Sequence, residues 1–190
     1  MKNIILFGKP GAGKGTQAVF LRDTFQLVHI STGDLFRYNI SNNTSLGALA
    51  KSYMDKGDLV PDELTIKMLE SEVDANPDVG GFIFDGFPRT AAQAEALDLF
   101  LHCKKMSIRA TIALEVDEEV LVNRLLSRGK DSGRSDDQDE NKIRNRFAEY
   151  NKKTAPLIDY YKSQNKFYSI RGEGTVAKIS KQLTSLLHSL

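Results

Sequence analysis

Residues 8–16 read GKPGAGKGT, directly after the apolar run NIILF and at the head of a long helical pattern. A strand, a glycine-rich turn and a helix in that order commit the chain to a βα unit whose turn sits at a helix N-terminus. Gly8, Gly11 and Gly13, with Pro10, make a tight turn in which backbone N–H groups can face an anion with no Cβ in the way. Lys14 adds a positive charge where the helix dipole already favours phosphate. The spacing G-x-x-x-x-G-K is that of a P-loop; Gly15 stands where Ser or Thr is usual, and the hydroxyl follows at Thr16. The dinucleotide pattern G-x-G-x-x-G fails, because Thr16 occupies its last glycine position. The implied ligand is a nucleotide phosphate.

Strand-like and helical stretches alternate through the rest of the chain. Strands are expected at 3–7, 27–30, 81–85, 111–116 and 166–170. The first, third and fourth are nearly continuous apolar runs, as parallel strands covered on both faces require. Helices are expected over 14–25, 33–40, 46–55, 62–75, 91–101, 118–126, 136–162 and 176–187. Such a βα series predicts an α/β fold with a five-stranded parallel sheet and a ligand site beyond the strand C-termini. Between residues 30 and 81 three helical patterns follow one another without a strand, an all-helical excursion over the sheet. The polar segment GKDSGR at 129–134 reads as a flexible loop. Pro156 lies inside the longest helical pattern and predicts a bend. Thr90 with Gln93 and Ser135 with Gln138 have capping-box spacing.

The chain of 190 residues suits one domain, and a net charge of +1 argues against a general nucleic-acid binder. A single cysteine, Cys103, leaves no internal disulfide or cysteine-based metal cluster and suits a reducing compartment. No signal peptide is expected, because the short apolar run at the start is consumed as a strand, and no stretch reaches the length of a membrane span. A cytoplasmic location is the expectation.

Asp85 ends the apolar strand GGFIFD beside the P-loop, where a carboxylate either holds magnesium through water or caps the turn into Gly86. Arg37, Arg89, Arg124, Arg128, Arg134, Arg144 and Arg146 lie after strands or around the polar loop. Several guanidinium groups around one phosphate would clamp a phosphoryl-transfer transition state; singly, each is a surface residue. DLVPD at 58–62 is a proline-fixed turn that presents its backbone to a ligand or serves only as a loop. Gln93 reads a base edge or completes the capping box. The acidic run DDQDE at 136–140 reads as a helix N-terminus favoured by the dipole. His29, His102 and His188 have no zinc-site spacing.

With GKPGAGKGT, STGDLFR, DGFPRT plus Gln93, and GRSDD together, the chain resembles the adenylate kinases of the nucleoside monophosphate kinase family over essentially its whole length. The resemblance implies a P-loop NTPase-like three-layer α/β/α fold. It divides a single 1–190 domain into a core (1–30, 61–128, 135–190), a helical AMP-binding excursion (31–60) and a short lid loop (129–134). It implies that Gly11, Ala12, Gly13, Lys14, Gly15 and Thr16 hold ATP phosphates, with Arg128 and Gly174 also on the ATP side. Thr32, Arg37, Leu59, Val60, Gly86, Arg89, Gln93, Arg134 and Arg146 are then the AMP side. Lys14, Asp85, Arg89, Arg124, Arg134 and Arg146 form the catalytic set, with Asp85 reaching magnesium through bound water and no direct metal ligand. The lid is too short for the cysteine zinc site of long-form relatives, so no zinc is expected. ATP, AMP and ADP are the implied substrates and a monomer the implied state, with no nucleic-acid or membrane partner. A slow nucleotide switch or a kinase for a hydroxylated metabolite are the alternatives from other classes, and neither gives DGFPR with Gln93 a purpose.

Overall fold

The computed structural model describes residues 1–190. NIILF forms β1 (Asn3–Phe7), buried at every residue. Ile4 and Leu6 enter one hydrophobic cluster, Ile5 and Phe7 a second, so both faces of the strand are covered. With β2 (Val28–Ser31), β3 (Phe82–Asp85), β4 (Ile108–Glu115) and β5 (Phe167–Arg171) it builds a five-stranded sheet of order β2-β3-β1-β4-β5. Every pairing is parallel. The helices, in chain order, are α1 (Lys14–Phe25), α2 (Thr32–Ser41), α3 (Ser45–Met54), α4 (Asp62–Asp74), α5 (Ala91–Cys103), α6 (Glu118–Ser132), α7 (Glu140–Glu149), α8 (Leu157–Ser163) and α9 (Val176–Ser189).

Leu21, Leu125, Phe147 and Leu183 bring α1, α6, α7 and α9 onto the Ile4 face. Leu69, Leu97 and Tyr161 bring α4, α5 and α8 onto the Ile5 face. The result is the expected three-layer α/β/α sandwich. The excursion carries a small core of its own, Phe36, Ala50 and Val60, backed by Leu46, Tyr53 and Met54. No helix is long and apolar enough to cross a membrane.

Register places the chemistry. Leu6 and Ser31 both align with Asp85, so β1, β2 and β3 end at one level. The P-loop, STGDLFR and DGFPRT therefore emerge side by side at the C-terminal edge. Because β2 and β3 lie on one side of β1 and β4 and β5 on the other, that edge opens into a crevice.

Several elements depart from the sequence reading. β4 begins at Ile108, earlier than expected, because exposed Arg109 interrupts the apolar run where the register with β1 shifts. The segment 129–132 is the last turn of α6 rather than loop, leaving only Gly133 and Arg134 before a 3-10 turn at Ser135–Asp137. Gly129 is small for packing, not for flexibility: a Cβ there would lie 2.6 Å from the Asp137 carbonyl oxygen. The long pattern 136–162 is broken into pieces. Pro156 offers no N–H, and the chain ahead of it widens into a π turn at Tyr150–Thr154, closed by Ala155 N–H donating to the Tyr150 carbonyl at 2.8 Å. The Thr90 cap forms, its hydroxyl accepting from Gln93 N–H, whereas the Ser135 box does not. Asp139 caps α7 instead, and Ser135 turns its hydroxyl to Asp55.

Candidate active site

One cleft of about 810 Å³ lies over the C-terminal edge of the sheet, within the range of small-molecule sites. The structure brings to its walls every residue that the family resemblance implies, from Gly11–Thr16 through Thr32, Arg37, Leu59, Val60, Asp85, Gly86, Arg89 and Gln93 to Arg124, Arg128, Arg134, Arg146 and Gly174. Arg144 is not among them; it binds Glu140 and Glu119 on the surface.

The P-loop is shaped by Gly8, Gly11 and Gly13, all at positive φ, and Gly13 caps α1 with no side chain of its own. The first-turn N–H groups of Lys14, Gly15 and Thr16 thus have no intrahelical acceptor and form an anion site. Lys14 Nζ folds back over the loop, donating to the carbonyls of Gly8 at 2.7 Å and Lys9 at 3.2 Å. Burial strips water from its ammonium and, with Arg89, Arg146 and Arg128 nearby, lowers its pKa to about 8 against the pull of Asp85.

Asp85 sits at the end of β3 with its Oδ2 toward the start of α1, 3.7 Å from where a Gly15 Cβ would stand. Burial alone would raise its pKa, but His29, Lys14 and Arg89 hold it below the ordinary value, so it is a carboxylate at neutral pH. His29 Nε2 lies 3.4 Å away. The sequence placed no histidine in the site, and nothing in the spacing of β2 marks this one.

Arg89 is fixed from three sides. Its Nε donates to the Gly86 carbonyl at 2.7 Å, its N–H to Gln93 Oε1 at 2.7 Å, and its carbonyl accepts from Thr154 Oγ1 at 2.9 Å. Its two Nη atoms keep no protein acceptor and face the cleft. Burial first, then Arg146 and Arg37, lowers its pKa to about 10, which leaves it fully charged at neutral pH. Thr32 Oγ1 closes the same corner by donating to the Gly86 carbonyl at 2.9 Å.

The other arginines are held by carboxylates, and here the acidic run means something different from the sequence reading. Asp136 and Asp137 are buried partners of arginines rather than residues of a helix N-terminus. Asp137 Oδ2 accepts from Arg128 Nε at 2.6 Å, and its Oδ1 from Arg146 Nη1 at 2.6 Å. Burial alone would raise the Asp137 pKa, but these two bonds hold it below the ordinary value. Arg146 Nη1 also lies 3.0 Å from Asp136 Oδ2. Asp34 Oδ1 accepts from Arg37 at 2.5 Å and from Arg134 at 3.4 Å. Arg124 lines the cleft with no protein partner.

Besides Asn145 Nδ2 donating to Asp58 Oδ1 at 3.3 Å, three contacts bridge the mouth from the α6–α7 junction and α7 to the helical excursion. They are Arg134 with Asp34, Ser135 Oγ donating to Asp55 Oδ1 at 2.8 Å, and Asn145 Nδ2 donating to the Lys56 carbonyl at 2.9 Å. No group of three or more His, Cys, Asp or Glu side chains converges anywhere in the chain. What the cleft offers is a glycine loop with unpartnered helix N–H groups and Lys14, a second cluster of cations, and one buried carboxylate.

The family model described as adenylate kinase matches residues 6–166. Over the full length of both chains, this one is 64% identical to an adenylate kinase of Flavobacterium psychrophilum. It is 61% identical to one of Flavobacterium johnsoniae and 46% identical to one of Bacteroides fragilis, again over both full lengths.

Proposed function

This chain belongs to the adenylate kinase family, phosphotransferases between ATP and AMP, and we propose that its cleft performs ATP + AMP ⇌ 2 ADP by direct in-line transfer, with no phosphorylated enzyme. The observation that carries the reading is the pairing of two anion sites on one sheet edge. The P-loop and Lys14 stand on one side of Asp85, and Arg37 with the free Nη atoms of Arg89 on the other.

In this reading Gly11, Ala12, Gly13, Lys14, Gly15 and Thr16 hold the ATP phosphates, and Arg128 and Gly174 line the way to its base. Residues 31–60 form the AMP-binding part, with Thr32, Arg37, Leu59, Val60, Gly86, Arg89 and Gln93 around the acceptor. Arg134 closes the lid. Arg124, Arg134 and Arg146 surround the phosphoryl group in transit. The nucleophile is a phosphate oxygen that is already ionised, so no general base is needed and His29 has no proton to remove. Catalysis reduces to alignment and to neutralising charge in a site closed to water. Asp34 occupies Arg37 and Arg134 until phosphate replaces it.

The donor set suits magnesium. Asp85 is a buried, ionised, hard oxygen ligand aimed at the first turn of α1, with the Thr16 hydroxyl on the same wall. Asp85 would hold the ion through water, and the chemistry the ion supplies is withdrawal of charge from phosphate oxygens.

The reading is tested by incubating the protein with magnesium, ATP chirally labelled at the γ-phosphorus, and AMP, CMP, UMP, GMP or no acceptor. Rapid ADP formation from AMP with inversion at phosphorus is expected. Retention would show a covalent intermediate, and loss of ATP independent of acceptor would make the protein a hydrolase.

The lysine also sets a pH dependence. Below pH 8 its ammonium is charged and available to phosphate; above that, the free enzyme loses the proton. The kcat/KM for ATP, which reports the free enzyme, is expected to fall toward tenfold per pH unit above about 8. A profile flat to pH 10 would show that Lys14 is not the titrating group.

A further inference from the structure

In the proposed reaction Gln93 stands at the AMP acceptor, where its amide would read the base edge, and its side chain is held by residues on two different elements. Its Oε1 accepts from Arg89 N–H at 2.7 Å, and its Nε2 donates to Asp62 Oδ1 at 2.7 Å. Asp62 is the first residue of α4, and its other oxygen accepts from Thr90 Oγ1 at 2.7 Å. Thr90 Oγ1 in turn accepts from Gln93 N–H at 3.2 Å. Capping and base reading therefore use different atoms: the backbone N–H of Gln93 completes the cap, and its amide is engaged elsewhere. Asp62 does not line the cleft.

The neighbours leave the amide one orientation. A backbone N–H can only donate, and both Asp62 oxygens are accepting. Turning the amide over would set donor against donor at Arg89 and acceptor against acceptor at Asp62. Gln93 is buried, so its own amide atoms could not turn to water to relieve either mismatch. Once these two bonds are made, the amide keeps one lone pair on Oε1 and one N–H on Nε2, in a fixed order across its edge. That order matches a 6-aminopurine, whose exocyclic N–H donates and whose N1 accepts. A 6-oxopurine presents the reverse pattern, an accepting O6 beside a donating N1–H.

We propose that Asp62 is a specificity-determining positioning residue, which locks the Gln93 amide in the orientation that accepts a 6-amino and rejects a 6-oxo purine nucleotide. The proposal rests on the base-reading role of Gln93, acts through it, and needs no contact between Asp62 and substrate. Asparagine at position 62 can offer either its oxygen or its nitrogen to Gln93, so the turned-over amide loses its clash at that end and is opposed only by the Arg89 N–H.

The test compares kcat/KM for AMP and for IMP as acceptors, IMP differing in the 6-position and the N1 proton. Asp62→Asn is expected to lower the AMP:IMP ratio at least tenfold with the rate on IMP rising in absolute terms, an increase that general loosening of the fold would not produce. Asp62→Glu, which keeps two accepting oxygens, is expected to retain most of the discrimination. Asp62→Ser carries the same comparison should the asparagine variant misfold. If Gln93→Ala lowers the ratio while the Asp62 variants leave it within twofold, the lock is overturned and the base-reading role stands. If neither position moves it, the base-reading role itself fails.

Discussion

Lys14→Met is expected to lower kcat by about 10²–10³-fold, the effect of removing one well-placed charge donor from a transition state. The same substitution is expected to leave the melting temperature without nucleotide unchanged or raised. Lys14 shows why the two effects separate. Its pKa falls to about 8 in the folded protein from an ordinary 10.5, so folding disfavours its charged form. Between those values the unfolded chain holds a proton that the folded chain has lost, and this group's contribution to stability rises with pH. Below pH 8 the folded state carries the whole cost of an enclosed ammonium, which methionine does not impose. Steady-state kinetics at pH 7 beside calorimetry of the free protein would check both halves. A variant that turns over normally would remove the P-loop lysine from the mechanism, and one that melts well below wild type would make it a structural residue.

Asp137→Ala is expected to cost stability instead, about 3 kcal/mol, the lower end of the range for breaking a buried ion pair. Asp137 is 0% exposed and takes one guanidinium on each oxygen. The lower end applies because Arg128 keeps 38% of its side chain in water. Because the folded-state pKa of Asp137 is depressed, its stabilising share is present above the ordinary carboxylate pKa and is lost as pH falls through the folded value. Urea titration at pH 7 should show a lower midpoint with an unchanged slope. A shift worth under 1 kcal/mol would mean that the arginines find other partners.

Asp137 also marks a boundary of what could be read from the chain. The P-loop, the strand runs and DGFPRT were legible because each is written in neighbouring residues, with turn glycines and apolar runs whose physics is local. The parallel register then did the rest, since aligning Leu6 and Ser31 with Asp85 puts three motifs on one edge. Where a residue's partner is distant in sequence, its role was hidden. Asp136 and Asp137 have the composition of a helix start, and only the fold reveals Arg146 against them. Asp62 looked like one end of a proline turn until α5 brought Gln93 to it. Gly129 read as a flexible residue because sequence does not show the backbone that packs on it. The break after α7 was signalled by Pro156, but not its form, a π turn that delivers Thr154 to the Arg89 carbonyl.

The hydrogen bonds across the mouth have a consequence for how long a nucleotide stays. Arg134 with Asp34, Ser135 with Asp55 and Asn145 with Lys56 are polar and exposed. Contacts of this kind contribute about 0–1 kcal/mol each. A reaction that runs in both directions must release either pair of nucleotides as readily as it admits the other. In the proposed reaction, contacts this weak would favour the assembled site without sealing it, leaving residence time to the nucleotides' own hold on the arginines. Replacing them with an apolar seam would lengthen that residence and slow turnover, giving a tighter binder and a poorer catalyst.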